Sequence, residues 1–202
     1  MKVLNGIIDE AEFCPSPNFN NRPKGTQVDL IVVHAISLPE GSYNTELIKD
    51  FFLNQLDPKE DEFLNSISHL QVSSHFLITR AGALIQFVPI HKRAWHAGES
   101  FFQGRKNCND FSIGIELEGC DGDKFETDQY NSLSCLTSFL LREHNISPYN
   151  VVGHSDISPN RKKDPGEKFK LDKIEISRFN KFKFIDKKLP LNKMLSLYGF
   201  SD

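Results

Sequence analysis

Histidines and carboxylates are the side chains whose placement in this chain points to chemistry. Of seven histidines, His34 closes the apolar run QVDLIVVH and His154 follows the run NVVG. An imidazole at the carboxyl end of a buried strand stands where open α/β sheets place their sites. Asp164 lies ten residues beyond His154, in RKKDPG, with Lys162 two positions before it. Glu116 sits in SIGIELE, on the strand face opposite the isoleucines. Two histidines and one carboxylate suffice to hold a catalytic zinc with one position left open. A nearby glutamate that is not a ligand has the chemistry of a general base acting on water. The candidates are scattered, without a local HExxH spacing, and a lone histidine at a strand end is more often an ordinary hydrogen-bonded residue than a ligand, so pattern alone does not make the site.

The elements that must position these residues are readable from periodicity. Residues 27–34 form a β-branched strand, and 112–118 alternate Ile113, Ile115 and Leu117 against Gly114, Glu116 and Glu118. A hairpin spans 75–79 and 83–88 and turns at Gly82; a short strand covers 150–153. Helices are expected over 44–55, capped by Asn44 or Thr45, and over 127–144, capped by Thr127 or Asp128 and burying Leu133, Leu136, Leu140 and Leu141. DPKEDEFLNSI reads as a loop or a turn of helix, 91–110 as a long loop carrying Trp95 and His96, 155–169 as a loop and 172–182 as a further helix. Residues 1–24 read as an irregular arm lying on the body. The order strand, helix, hairpin, strand, helix, strand predicts an α/β fold: a mixed central β-sheet flanked by helices. One domain over 1–181 is expected, with 182–202 as an appendage bearing a short amphipathic helix.

Composition narrows the function classes. A chain of 202 residues, 39% hydrophobic and 25% charged, builds one real core without disulfides. Cys14, Cys108, Cys120 and Cys135 show no CxxC spacing, which argues against a zinc ribbon or a redox pair. A net charge of -3 excludes a globally basic nucleic-acid binder. No apolar run reaches transmembrane length and the opening MKVLNGIIDEAEF has no signal-peptide core, so a cytoplasmic monomer with no membrane or nucleic-acid partner is expected. Arg105, Lys106, Arg161, Lys162 and Lys163 offer a local positive rim for an anionic ligand, with Arg161 the candidate carboxylate clamp.

VDLIVVHAISLP, HFLIT, KRAWHAG, CNDFSIGIELEG and VVGHSDISPNRKKDPG occur in that order. Together they resemble the AmpD-type N-acetylmuramoyl-L-alanine amidases, within the wider amidase and peptidoglycan-recognition-protein superfamily. The resemblance runs from about Pro15 to about Lys173. It implies a zinc enzyme of cell-wall recycling that cuts the amide between (anhydro)N-acetylmuramic acid and L-alanine of muramyl peptides. By position it implies His34, His154 and Asp164 as zinc ligands, Glu116 as acid/base and Lys162 as a second catalytic group. It also implies that Trp95 and His96, in RAWHAG, belong to a loop lining the sugar pocket. Two alternatives share the scaffold: an amidase on intact peptidoglycan, and a non-catalytic peptidoglycan-binding protein. The chain departs from the family at Ala35, Gln71 and Asn107, where relatives carry Asn, Arg and Arg; these differences bear on recognition of the stem peptide.

Overall fold

The computed structural model describes residues 1–59 and 61–174. The expected appendage, and all but the start of the expected 172–182 helix, lie outside the described residues. The first two dozen residues are more ordered than their sequence suggests. Strands β1 (Val3–Leu4) and β2 (Ile7–Ile8) form a hairpin, and β3 (Glu12–Phe13) joins the central sheet as an edge strand. β4 (Phe19–Asn21) pairs separately with a strand of the 91–110 segment. Strands of two or three residues leave too few alternations to be read as strands.

Next come β5 (Leu30–Ile36), α1 (Thr45–Phe52) and α2 (Glu62–Ile67). Asn44 caps α1 by accepting from the N–H groups of Glu46 and Leu47; Ile48, Phe51 and Phe52 are buried. The expected turn around 61–67 is a helix because Asp61 caps it in the same way. β6 (Phe76–Ile78) and β7 (Leu84–Gln86) form the expected hairpin, with Gly82 at φ 77 in its turn. The 91–110 segment is shaped rather than open: it contains β8 (Lys92–Ala94), β9 (Phe101–Phe102), β10 (Arg105–Lys106) and a 3-10 turn at Cys108–Asp110. β11 (Ser112–Glu118), α3 (Thr127–Glu143), β12 (Val151–Gly153) and the short α4 (His154–Ile157) complete the described fold. α3 is capped one residue earlier than expected: the Glu126 N–H donates to the Gln129 side chain.

The six-stranded sheet runs β12-β5-β11-β6-β7-β3. β12, β5, β11 and β6 are mutually parallel and β7 is antiparallel to β6, so the sheet is mixed. On one face Ile31, Val33, Ile113, Ile115 and Leu117 pack against Leu133, Leu136, Leu140 and Leu141 of α3. On the other face Leu30 and Val32 meet Phe111, Cys108 and Ile157. All seven β11 residues are buried, as expected for a parallel strand covered on both sides. The second face therefore hides Glu116, Glu118 and, from β5, His34. Buried polar groups need a partner or a purpose.

Arg22, at the end of the amino-terminal arm, braces this second face. Its Nη1 donates to the carbonyls of Asn109 and Asp110, and its Nη2 to those of Ile90 and Ser112. Removing it leaves several of these carbonyls without a donor. Arg22→Ala is expected to cost about 2–4 kcal/mol of unfolding free energy in urea titration, from lost charged hydrogen bonds and orphaned acceptors. A loss below about 0.5 kcal/mol would show that water replaces the guanidinium there.

Candidate active site

Register brings the separated candidates together. Glu116 lies directly opposite His34 across the parallel β11/β5 pair, and Gly153 lies opposite Val33, so His154 follows beside His34. The loop after α4 returns Asp164 to the same point, held by the Ser155 N–H donating to the Asp164 carbonyl. His34 Nδ1 and His154 Nδ1 are 3.0 Å apart. Asp164 Oδ2 is 3.0 Å from His154 Nδ1 and 3.3 Å from His34 Nδ1. All three residues are buried.

The hydrogen-bond partners assign the tautomers. His154 Nε2 faces the Ala97 carbonyl at 3.0 Å, a closer contact than Arg161 Nη2 at 3.3 Å, which itself donates to that carbonyl; the carbonyl only accepts, which favours the proton on Nε2. The Ser112 hydroxyl donates to the Cys108 carbonyl, so it can only accept from His96 Nε2–H; His96 Nδ1 is then bare and accepts from His34 Nε2–H at 3.0 Å. Both His34 and His154 thus present an unprotonated Nδ1 to Asp164. Burial drives the His34 pKa down to about 4, with the Asp164 hydrogen bond opposing it, so His34 is neutral near pH 7. Burial also resists ionisation of Asp164, but its pairing with His154 and His34 prevails and holds it well below the usual carboxylate range. A tetrahedral zinc with bonds of about 2.0–2.1 Å keeps its ligand atoms roughly 3.3 Å apart. Donor type, bare lone pairs and separation all fit that ion.

Glu116 is 7% exposed, and no protein group among the described residues hydrogen-bonds to its carboxyl. Burial raises its pKa well above the ordinary value; Asp164 adds to this and the Lys162 ammonium works against it. Lys162 is half-buried. A carboxyl so placed is poised to accept and return a proton.

The other candidates divide. His96 is partly buried and touches His34. Trp95 donates from Nε1 to Asn20, farther out on the same loop. Arg161 donates from Nη2 to the carbonyls of Ala97 and Glu99, bracing the loop that holds His154. Arg105 is not brought to the cluster: it forms a two-pronged pair with Asp29, just before β5 and five residues upstream of His34, and covers the Phe111 ring. Ala35 packs on the opposite face, in the core under α3, so it does not border the three ligand atoms. Gln71 and Asn107 are exposed. Glu118, though on the Glu116 face, is structural: it accepts from the Thr45 hydroxyl and the Arg80 N–H. Asp156 accepts from the Gly153 N–H and fixes the turn that aims His154.

Sequence reasoning missed three contributors. Asn109 accepts from the N–H groups of His96 and Ala97 and so fixes the loop carrying His96. Ser112 ends the hydrogen-bond chain from His34. Gly114 has no side chain where the His96 ring lies; a Cβ there would sit 2.5 Å from His96 Cγ. Only Gly114 left a signal, since glycine inside a strand often marks close approach of another group.

Donors that could hold a cation, two of them at the ends of parallel strands, beside a buried carboxyl without a hydrogen-bond partner among the described residues, have the makings of a hydrolytic site. The family model for N-acetylmuramoyl-L-alanine amidase matches residues 24–167, and the chain belongs to that family. The 1,6-anhydro-N-acetylmuramyl-L-alanine amidase AmpD of Escherichia coli (strain K12) is 45% identical over 169 residues, 84% of this chain and 92% of that protein. The N-acetylmuramoyl-L-alanine amidase AmiD of the same strain is 38% identical over 125 residues, 54% of this chain and 45% of its own length. A crystal structure of a selenomethionine AmpD derivative superposes with a TM-score of 0.83 at 43% identity, covering 86% of this chain and 97% of that one. AmiD from E. coli, in complex with the substrate anhydro-N-acetylmuramic acid-L-Ala-D-gamma-Glu-L-Lys, gives a TM-score of 0.54 at 30% identity, covering 76% and 59%.

Proposed function

We propose that this amidase hydrolyses the amide between anhydro-N-acetylmuramic acid and L-alanine of free muropeptides, in cytoplasmic cell-wall recycling, with zinc held by His34, His154 and Asp164. The observation that carries the reading is the convergence of two bare Nδ1 atoms on Asp164 beside Glu116. Zinc held there supplies Lewis acidity for activating water and polarising the amide carbonyl. Glu116 takes the proton from the attacking water and returns it to the alanine nitrogen as it leaves. Its raised pKa suits both transfers, because an acid/base works best when its pKa lies near the working pH. Lys162 supplies positive charge to the developing oxyanion, where fixed charge has its largest effect. Trp95, with His96 behind it, offers an aromatic border for the sugar, and Arg161 keeps guanidinium N–H groups for the stem beyond those on the loop carbonyls. The choice of the anhydro sugar is supported by the name of AmpD, which specifies it, at 45% identity over 92% of that protein. No described helix is long and apolar enough to cross a membrane. We assign the activity to a monomeric domain spanning 1–181.

The test is mass-spectrometric assay of the purified protein on anhydromuramyl-tripeptide and on intact sacculi, with and without chelator. Release of tripeptide from the soluble substrate, lost on chelation and restored by zinc, is the expected outcome. Comparable cleavage of sacculi would favour the wall-directed alternative, and stable binding without cleavage would favour the non-catalytic one.

A further inference from the structure

We infer that His96 is a positioning residue for the metal centre: by accepting the Nε2–H of His34, it fixes His34 in the tautomer and ring orientation that present Nδ1 to the cluster. The inference rests on the zinc reading of His34, His154 and Asp164, and gives His96 a task beyond bordering a ligand pocket.

Four independent features hold His96 in this role. The hydrogen-bond chain has a fixed direction, because its far end is a carbonyl that can only accept: the Ser112 hydroxyl donates to Cys108 at 2.6 Å, His96 Nε2–H donates to Ser112 at 3.2 Å, and His34 Nε2–H donates to His96 at 3.0 Å. The His96 backbone is pinned by Asn109, whose side-chain oxygen accepts from its N–H. The ring is wedged by edge contacts, with centroids 5.0 Å from His34 and 5.7 Å from the buried His75. Gly114 of β11, two residues before Glu116, leaves the space into which the ring fits. His75 is fixed in turn, since its Nδ1 accepts from the Gly114 N–H.

The physical consequence concerns the ligand nitrogen. An isolated neutral imidazole exchanges its proton between the two nitrogens, and only the form with a bare Nδ1 offers a lone pair to the cluster. An acceptor at Nε2 selects that form and strengthens the ligand; loss of such partners typically costs 10–100-fold in metal affinity. His154 receives the equivalent fixing from the Ala97 carbonyl. A backbone carbonyl cannot be lost by side-chain substitution, so of these two acceptors at Nε2 only His96 can be removed by one.

The experiment measures zinc affinity by chelator competition for the full chain and for His96→Phe, His96→Asn and Gly114→Ala, with long-range proton–nitrogen NMR of the zinc-free wild type to read the His34 tautomer. The Nε2–H tautomer is expected in the wild type. His96→Phe fills the space without an acceptor and is expected to lose 10–100-fold in zinc affinity. His96→Asn keeps an acceptor near Nδ1 and should stay within about threefold of wild type if acceptance is what matters. Gly114→Ala keeps the imidazole but displaces it, and should weaken zinc as His96→Phe does. An Nδ1–H tautomer in the wild type overturns the inference, and needs no variant to fold. So does zinc affinity in His96→Phe within threefold of wild type, or equal loss in His96→Phe and His96→Asn. A wild type that binds no zinc overturns the metal reading instead, and the tautomer still decides the role of His96.

Discussion

Asp164→Asn is expected to abolish stoichiometric zinc and to lower kcat/KM on anhydromuramyl-tripeptide by at least about a thousandfold, roughly 4 kcal/mol of transition-state stabilisation. The substitution keeps the shape of the side chain and removes the only anion among the three donor atoms, which stand 3.0–3.3 Å apart. The two remaining donors are neutral imidazoles, and a divalent cation buried beside them would have no neutralising ligand. Zinc content by elemental analysis and turnover by mass spectrometry check the two halves separately. The same site predicts a stability effect in the wild type. Free zinc at about a hundred times its Kd stabilises a protein by about 2.7 kcal/mol, which for a domain of this size moves Tm by roughly 5–10 °C. Chelation should lower the wild-type Tm by that order and leave Asp164→Asn unmoved. An Asp164→Asn variant that keeps both zinc and turnover would remove Asp164 from the ligand set.

The strands that carry this site were legible because buried parallel strands are written in apolar runs: Leu30–Ile36 and Ser112–Glu118 read directly from their β-branched and alternating residues. Glu116 stood out on the strand face opposite the isoleucines, but its burial was not legible from the alternation, because it depends on what covers the second face of the sheet. That His34, Glu116 and His154 are neighbours was not legible from periodicity, since it depends on which strands pair and in which register. The resemblance supplied that grouping, and the register accounts for it physically. The supporting chain through His96, Ser112 and Cys108 was beyond reach, because it runs through a segment whose short strands have no period. Arg105 shows what a reading of charge alone leaves out. A cation near the motif looked available for an anionic ligand, whereas Asp29, distant in sequence, already neutralises it.

Glu116→Gln tests the chemistry without touching the ligands. The variant is expected to bind zinc within about threefold of wild type and to lose 10²–10⁴ in kcat, the usual contribution of a positioned acid/base. KM should change little, because the amide side chain occupies the same volume. Stability supplies a second readout of opposite sign. Burial, reinforced by Asp164, raises the Glu116 pKa above its unfolded value. The folded state therefore binds more protons than the unfolded state between those two values, and stability falls as pH rises through that window. Near neutral pH a buried carboxylate without a hydrogen-bond donor is a cost that an amide does not incur. Zinc-free Glu116→Gln should thus be at least as stable as the zinc-free wild type at pH 7, with the advantage fading toward pH 4.5. Such a pairing, lost turnover with unchanged or higher stability, marks a group retained for its reaction rather than for the fold. A variant that is markedly less stable at pH 7 would instead identify Glu116 as a structural carboxylate, and near-full turnover would place the proton transfer on another group.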